Sequence, residues 1–509
     1  MAQRISKRKK KAAPAKKAKA APQRPAPLVL SVRLSEHVVL APAAGGRLTA
    51  AVNDYPLDLG RFSEAATKRA RVLKDGIRLA ALGADKPADQ EIATLVEQLA
   101  RQGLIEYVLS RKADAHALAV IEPQMPDYRP RLPKLGQGDT IALSRFAYLR
   151  RRASEMALES PRSGALFRFD DPAIAGMLTM LAMPQKVGKL RTMSGFPGTE
   201  LLALLLDCGI LFRLDRPDDD GRRPSEGDET LVMWDFHDLL FHARSTEGRQ
   251  ANPVGGVYPY VGWIDPPPAV RPHWPGERID LQRLLAEPAE TISAAARLFR
   301  ARHSERDYDE RKPITLAELS LFLDATARVL SRWESSLDED GAGPVLDYTR
   351  RPYPSAGSAY ELELYLAVAH CDGLPAGLYH YDADAHALVA IPARPELREA
   401  MLDSAQFAMD AAGHPQILIT VTSRFARLAW KYSAIAYALT LKDVGGLLQT
   451  FYLMAADMGL GACAVGTSNI DLFEKATGIP FHVEGPVGQF TLGRPIDASD
   501  AESGSGPHG

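Results

Sequence analysis

The 509-residue chain is 46% hydrophobic and 24% charged, an ordinary globular mixture whose length allows roughly two to four domains. Its formal charge of −2 hides an asymmetry: residues 1–24 carry ten Lys and Arg and no acid, so the remainder is acidic. No apolar run reaches the ~20 residues of a membrane span, and the N-terminus lacks the apolar core of a signal peptide. The three cysteines, Cys208, Cys371 and Cys463, form no CxxC or Cys/His cluster, which argues against a disulfide framework or a zinc site and points to a reducing cytoplasm.

Residues 1–27 are rich in Lys, Ala and Pro and are expected to be a disordered basic tail. From Leu28 the pattern changes to short strand-like runs and two helical stretches. The second of these places Ile92, Leu95, Val96 and Leu99 on one face and ends at Gly103. A hairpin-like pair, Leu104–Leu109 and Ala117–Ile121, follows, the shape of a winged helix. Residues 172–213 echo it: a helix from Ile174 to Ala182, a basic turn, a helix from Glu200 to Leu206, then Gly209-Ile210-Leu211. Residues 28–215 are therefore expected to hold tandem winged-helix-like modules. The 90–100 helix carries Glu91 and Glu97 with only Arg101 after it, so peptide or partner binding is expected there rather than nucleic-acid binding.

Residues 216–290 read as a linker and ordered loop region. Within it, Trp234-Asp235-Phe236-His237-Asp238-Leu239-Leu240-Phe241-His242 carries two histidines at i, i+5. That spacing sets them well apart in angle on a helix, unlike i, i+4, so no metal site is expected. Residues 291–497 are α+β in pattern. Helices are expected from Ala294 to Arg300 and from Leu316 to Leu330, and a strand with Leu362, Leu364, Leu366 and Val368 on one face. A hairpin through Tyr379 and Tyr381, a strand at Gln416–Val421 and a last strand through Gln489–Pro495 are also expected. Val444, Leu447, Leu448, Phe451, Met454, Ala455 and Met458 fall on one helical stripe, which Gly459 and Gly461 end. Gly445 and Gly446 beside that stripe point to another body approaching closely, since glycine costs a helix about 1 kcal/mol relative to alanine. Residues 498–509 are expected to be a disordered tail.

No Walker A motif occurs, and no GxGxxG follows a strand. Anion-binding groups do occur, scattered through the last domain: Arg302, Ser304 and Arg306 on alternate residues, and Arg494 after Gly493. Arginine forks suit phosphate. Taken with Arg351-Pro352-Tyr353-Pro354-Ser355-Ala356-Gly357, Gly377-Leu378-Tyr379-His380-Tyr381-Asp382, Lys431-Tyr432, Gly459–Gly466 and Thr491–Pro495, they stand in an order that resembles the nitroreductase superfamily. More narrowly, the chain resembles the SagB/ThcOx-type azoline dehydrogenases, which use FMN to oxidise thiazoline and oxazoline rings in ribosomally made peptides.

The resemblance implies a nitroreductase-like FMN domain, a mixed or antiparallel sheet flanked by helices, in a cytoplasmic homodimer with the cofactor between subunits. It implies that Arg302, His303, Ser304, Arg306 and Arg494 grip the FMN ribityl-phosphate. Pro354, Ser355, Ala356 and Gly357 would line the ring, Gln449 would contact the cofactor, and Ala464, Val465 and Gly466 would offer backbone beside it. Lys431 and Tyr432 match the Lys-Tyr pair implicated in catalysis. The family's frequent Arg, His and Asn are missing here, near Ile435, Gly446 and Thr450 respectively, which bears on substrate orientation.

The chemistry makes sense of the pair. Aromatising an azoline removes a proton from one ring carbon and a hydride from its neighbour, so the protein must supply a base. Tyrosine, with an ordinary pKa near ~10, serves as a base when a cation lies close. Adjacent residues diverge in direction on a regular helix, so both reach one substrate only at an irregular spot. The implied partners are an azoline-bearing precursor peptide and the YcaO-type cyclodehydratase that makes it, with oxygen to reoxidise the flavin. The alternatives are an NAD(P)H-dependent nitroreductase-like enzyme on a small molecule and a catalytically impaired scaffold of an azole-forming complex.

Overall fold

The computed structural model of the chain describes residues 28–52, 55–82, 87–111, 117–214, 226–251, 254–271, 273, 275–281, 292–338 and 343–496. The tails expected to be disordered at 1–27 and 498–509 lie outside them.

The last part of the chain is built on a six-stranded antiparallel sheet. Its strands run in the order Ala387–Ile391, Gly377–Asp382, Leu362–Val368, Ile417–Arg424, Glu484–Gly493, Gly461–Val465. Strand Leu362–Val368 is buried on both faces, as a central strand flanked by helices must be. Leu362, Leu364 and Leu366 face the long helix Ala436–Asp457 and the helix Leu316–Ala327. Tyr365 and Ala367 face the helices Pro395–Met409 and Ile470–Thr477 on the other side. The long helix buries Val444, Leu447, Phe451 and Ala455, with Leu448, Met454 and Met458 partly buried against the same core. Phe451, wholly buried, meets Phe322 and Phe490 at ring distances of 5.2 Å each. Burying a Phe side chain contributes roughly 1.5–3 kcal/mol.

Two features differ from the sequence-based expectation here. The helix opened by the Thr315/Glu318 capping box ends at Ala327 rather than at Leu330. The chain then forms a hairpin, Ser331–Ser336 with Val345–Arg350, whose Trp333 and Tyr348 rings stack 5.6 Å apart. Its charged, partly exposed strands give no clean alternation, so the period-2 signal is weak.

The first part of the chain departs further from two separate winged helices. Helix Pro87–Arg101, Gly103 and the hairpin Ile105–Arg111/Ala117–Pro123 are present. The hairpin, however, forms the centre of a seven-stranded antiparallel sheet. That sheet runs from Ile77–Arg78 through Leu28–Leu34 and the hairpin to Ala165–Phe169, Glu155–Glu159 and Tyr148–Arg152. The second copy, helices Pro172–Met180, Val187–Leu190 and Thr199–Asp207, packs beside a small sheet of Gln185–Lys186, Thr140–Leu143 and Leu211–Arg213. Both halves share one hydrophobic core, from Val32 to Leu211.

The region read as a linker contains a helix, Phe236–Arg244, that is packed from both sides. Phe146 from the first part, Leu231, Trp234, Leu239 and Ala243 from this segment, and Phe425, Tyr437, Ile470 and Phe481 from the last part form one buried cluster. Trp234 lies 4.6 Å from the Phe425 ring and donates from Nε1 to the His482 carbonyl at 2.8 Å.

Candidate active site

Lys431 and Tyr432 fall between the short helix Phe425–Ala429 and the long helix, where the backbone is irregular. Ala434 has a positive φ of 62°, a conformation that costs a non-glycine residue roughly 1–2 kcal/mol. The side chains therefore escape the divergence that adjacent residues on a regular helix would show. Lys431 Nζ donates to the Gly357 carbonyl at 3.1 Å. The position a Cβ would take on Gly357 lies 2.5 Å from the Tyr432 hydroxyl, and Gly357 itself has φ of 57°. Only glycine fits under that pair.

The turn Ser355–Gly357 is in turn tied to the long helix. Asp443 Oδ2 accepts from the Ala356 amide at 2.8 Å and from Ser355 Oγ at 3.1 Å. Gly446 is the close approach that the paired glycines foretold: a Cβ there would meet Pro354 Cγ at 3.1 Å, whereas Gly445 faces open space.

The long helix has no side-chain cap of its own; its N-cap residue is Ile435. The cap comes from the helix Phe236–Arg244 instead. Asp235 Oδ2 accepts from the Ala434 amide at 2.8 Å, and Asp238 Oδ2 accepts from the Tyr437 amide at 3.4 Å. Burial holds the Asp238 carboxyl above its ordinary range, against the Tyr437 amide that favours its charge. His237 Nε2 and the Ala434 carbonyl are 3.2 Å apart. His242, wholly buried, sets Nδ1 3.1 Å from the Tyr437 hydroxyl. Desolvation pushes its imidazole down to about 3, so it is neutral.

A second group forms at the other end of the long helix. Ser304 Oγ and the Tyr452 hydroxyl are 2.8 Å apart, and that hydroxyl accepts from the Ala464 amide at 2.7 Å. The Arg302 guanidinium lies 5.1 Å above the Tyr452 ring. The Glu305 amide donates to the Ala462 carbonyl, pinning the Arg302–Arg306 loop along strand Gly461–Val465. Arg302 and Arg306 have no carboxylate partner among the described residues, and Gly466 is exposed with open space around it. Two guanidiniums without a described carboxylate partner, a hydroxyl and nearby backbone suit an anionic, phosphate-bearing cofactor. His303 is exposed and turns to Glu305 at 3.6 Å.

The sequence-derived residues thus sort into two groups. Pro354, Ser355, Ala356, Gly357, Lys431 and Tyr432 converge; so do Arg302, Ser304 and Ala464, with Arg306 and Val465 on the same two segments. The groups are nine residues apart on the long helix, Asp443 to Tyr452, roughly 14 Å at 1.5 Å per residue. Gln449 lies between, half-buried. Arg494 joins neither: its guanidinium is held by both oxygens of Glu318 at 2.8 Å. Sequence reasoning missed Tyr452, Asp443 and Asp235. A lone acid inside an apolar helix stripe was the available signal for Asp443; nothing local marks Tyr452.

The family model for nitroreductases matches residues 299–494, and the model for the cyanobactin oxidase ThcOx matches residues 141–251. The chain is 33% identical over 165 residues, 32% of its length and 74% of the relative's, to a protein named as a nitroreductase in Methanocaldococcus jannaschii. Among solved structures it is similar to the E. coli microcin synthetase McbBCD complex with truncated pro-MccB17 bound, at 17% identity, 53% of this chain and 97% of that one, TM-score 0.37. It is also similar to a nitroreductase in complex with FMN from Desulfovibrio desulfuricans, at 14% identity, 43% and 93% coverage, TM-score 0.26. The chain belongs to the nitroreductase family and is an oxidoreductase. The match to the cyanobactin oxidase ThcOx model, residues 141–251, includes the helix Phe236–Arg244 beside the Lys431–Tyr432 turn. Among the described residues, no helix is long and apolar enough to cross a membrane.

Proposed function

We propose that the chain is an FMN-dependent dehydrogenase that oxidises thiazoline or oxazoline rings of a ribosomally made peptide to thiazole or oxazole. The observation that carries this reading is the convergence of Lys431 and Tyr432 on the Ser355–Gly357 turn, held by a helix of the cyanobactin-oxidase region. Arg302, Ser304 and Arg306 would hold the FMN phosphate. The 464–466 backbone and the Pro354–Gly357 turn would flank the ring, and Arg494 would contribute once it leaves Glu318. Bound FMN supplies the hydride acceptor for the reaction.

This chain's residues supply the rest. Tyr432 takes the proton from the ring carbon next to the one that loses hydride. Lys431 stands beside it, its Nζ 5.5 Å from the Tyr432 ring centroid. The Gly357 carbonyl orients Lys431, and the two departing hydrogens leave a new ring double bond. A homodimer would bring the first group of one subunit and the second group of the other to a single cofactor. The first part of the chain would bind the precursor peptide or the YcaO-type cyclodehydratase.

The test is an absorbance spectrum of the purified protein, then mass spectrometry of an azoline peptide incubated with wild type and with Tyr432→Phe. Flavin bands and a loss of two mass units per ring, abolished in the variant, are expected. Flavin without any mass change would overturn the substrate. Failure to take up FMN would overturn the reading at its root.

A further inference from the structure

Behind the Ser355–Gly357 turn lie two carboxyl groups that the reaction above does not use. Glu361 is wholly buried at the head of strand Leu362–Val368. Its Oε2 lies 3.3 Å from Ser355 Oγ, and its Oε1 has no hydrogen-bond partner among the described residues. Asp443, buried on the long helix, holds Ser355 Oγ and the Ala356 amide. The two carboxyls thus meet at one hydroxyl, each within hydrogen-bonding distance of Ser355 Oγ.

A count of protons shows what this requires. Ser355 Oγ has one proton and faces both carboxyls, while it also accepts from the Tyr360 amide at 2.9 Å. Two ionised carboxylates on one hydroxyl inside a protein repel strongly, and neither has a cation: no described Lys or Arg pairs with Glu361 or Asp443. Glu363, the next acid on that strand face, does have partners, Arg424 at 3.0 Å and His380 at 3.3 Å. One shared proton removes the conflict. Asp443 has the amide donor that suits an anion; Glu361, deeper and with a bare oxygen, suits the acid that donates to it. Burial, reinforced by Asp443, pushes Glu361 up to about 7. Around it also lie Tyr353, buried and neutral, Tyr360, whose hydroxyl donates to the Arg351 carbonyl, and Arg351, whose Nη1 donates to the Leu362 carbonyl at 3.2 Å. Lys431 reaches only the Gly357 carbonyl.

We propose that Glu361 and Asp443 are positioning residues that share one proton and so tie the Ser355–Ala356 turn to the long helix. Loss of that proton loosens the turn that Lys431 and Tyr432 face. The consequence for FMN rests on the function proposed above; the tie itself does not.

The experiment is an FMN titration followed by flavin fluorescence and visible circular dichroism, from pH 5.5 to 9, on the full chain. Wild type is compared with Glu361→Gln, whose neutral amide still donates to Asp443, and with Glu361→Ala. Wild-type affinity is expected to fall above pH 7, by up to about tenfold per pH unit. Glu361→Gln should be flat over that range and Glu361→Ala weak throughout. Identical pH profiles for wild type and Glu361→Gln, or a Glu361→Gln as weak as Glu361→Ala, would overturn the proposal. If FMN does not bind at all, the function fails separately, and thermal unfolding without cofactor still decides the tie. A gap between the melting temperatures of Glu361→Gln and wild type that widens as pH rises from 5.5 to 8 supports it; a constant gap overturns it.

Discussion

Asp235→Ala removes the carboxylate that accepts from the Ala434 amide at 2.8 Å, and so uncaps the turn carrying Lys431 and Tyr432. A hydrogen bond to a charged acceptor is worth about 1.5–3 kcal/mol, and losing an N-cap typically costs about 1 kcal/mol. Asp235 is only half-buried, so about 1–2 kcal/mol is the reasonable figure. Ala434 already sits at φ 62°, held there against its own preference. The loss therefore falls on this turn before it is felt globally. A destabilisation of about 1–2 kcal/mol changes the population of the capped turn by roughly 5–30-fold. Two assays apply: amide hydrogen exchange across residues 430–440, and the single-turnover rate on an azoline peptide. Exchange should speed up and the rate should fall by a similar factor, while Asp235→Asn, which keeps an acceptor oxygen, recovers most of both. Unchanged exchange in Asp235→Ala, or an Asn variant as impaired as the Ala variant, would refute the capping argument.

Other outcomes follow from the same geometry. His242 has a folded value of about 3 against an ordinary 6.5, so its contribution is fully present above pH 6.5 and is lost as pH falls toward 3. Between pH 6.5 and pH 4 this amounts to about 3 kcal/mol, so denaturant unfolding at pH 7 and pH 4 should show a drop of that order that His242→Phe reduces. Tyr452→Phe removes the hydroxyl between Ser304 and the Ala464 amide; FMN affinity measured by fluorescence should weaken about tenfold, at roughly 1–1.5 kcal/mol for the lost bonds. Gly446→Ala places a Cβ 3.1 Å from Pro354 Cγ and should lower thermal stability by about 1–3 kcal/mol through displacement of the Pro354–Gly357 turn.

Much of the last domain was legible because its elements obey simple periods. The stripe from Val444 to Ala455 and the alternation from Leu362 to Val368 each place one face on one core. The Lys431–Tyr432 turn was legible because two adjacent side chains with one task demand irregular backbone. What stayed hidden depends on partners distant in sequence. Asp235 holds an amide 199 residues away, and Glu361 and Asp443 reach the same Ser355 hydroxyl from different elements. The seven-stranded sheet was hidden for the same reason: each hairpin carries a local signal, but nothing local says that two hairpins share one sheet. Arg494 shows the opposite limit, since its motif was plain but its guanidinium goes to Glu318.

The shared aromatic cluster of Phe146, Trp234, Phe425, Tyr437 and Phe481 has a practical and an evolutionary consequence. A cut through the region between the two parts does not fall in a seam; it divides a core. A fragment starting after residue 250 would lose Trp234, and with it the carboxylates that hold the Lys431–Tyr432 turn. Recombination that exchanged the front part would have to carry residues 229–245 along and rematch them to Phe425 and Phe481. The front part and the Lys431–Tyr432 turn are therefore exchangeable only as a linked pair.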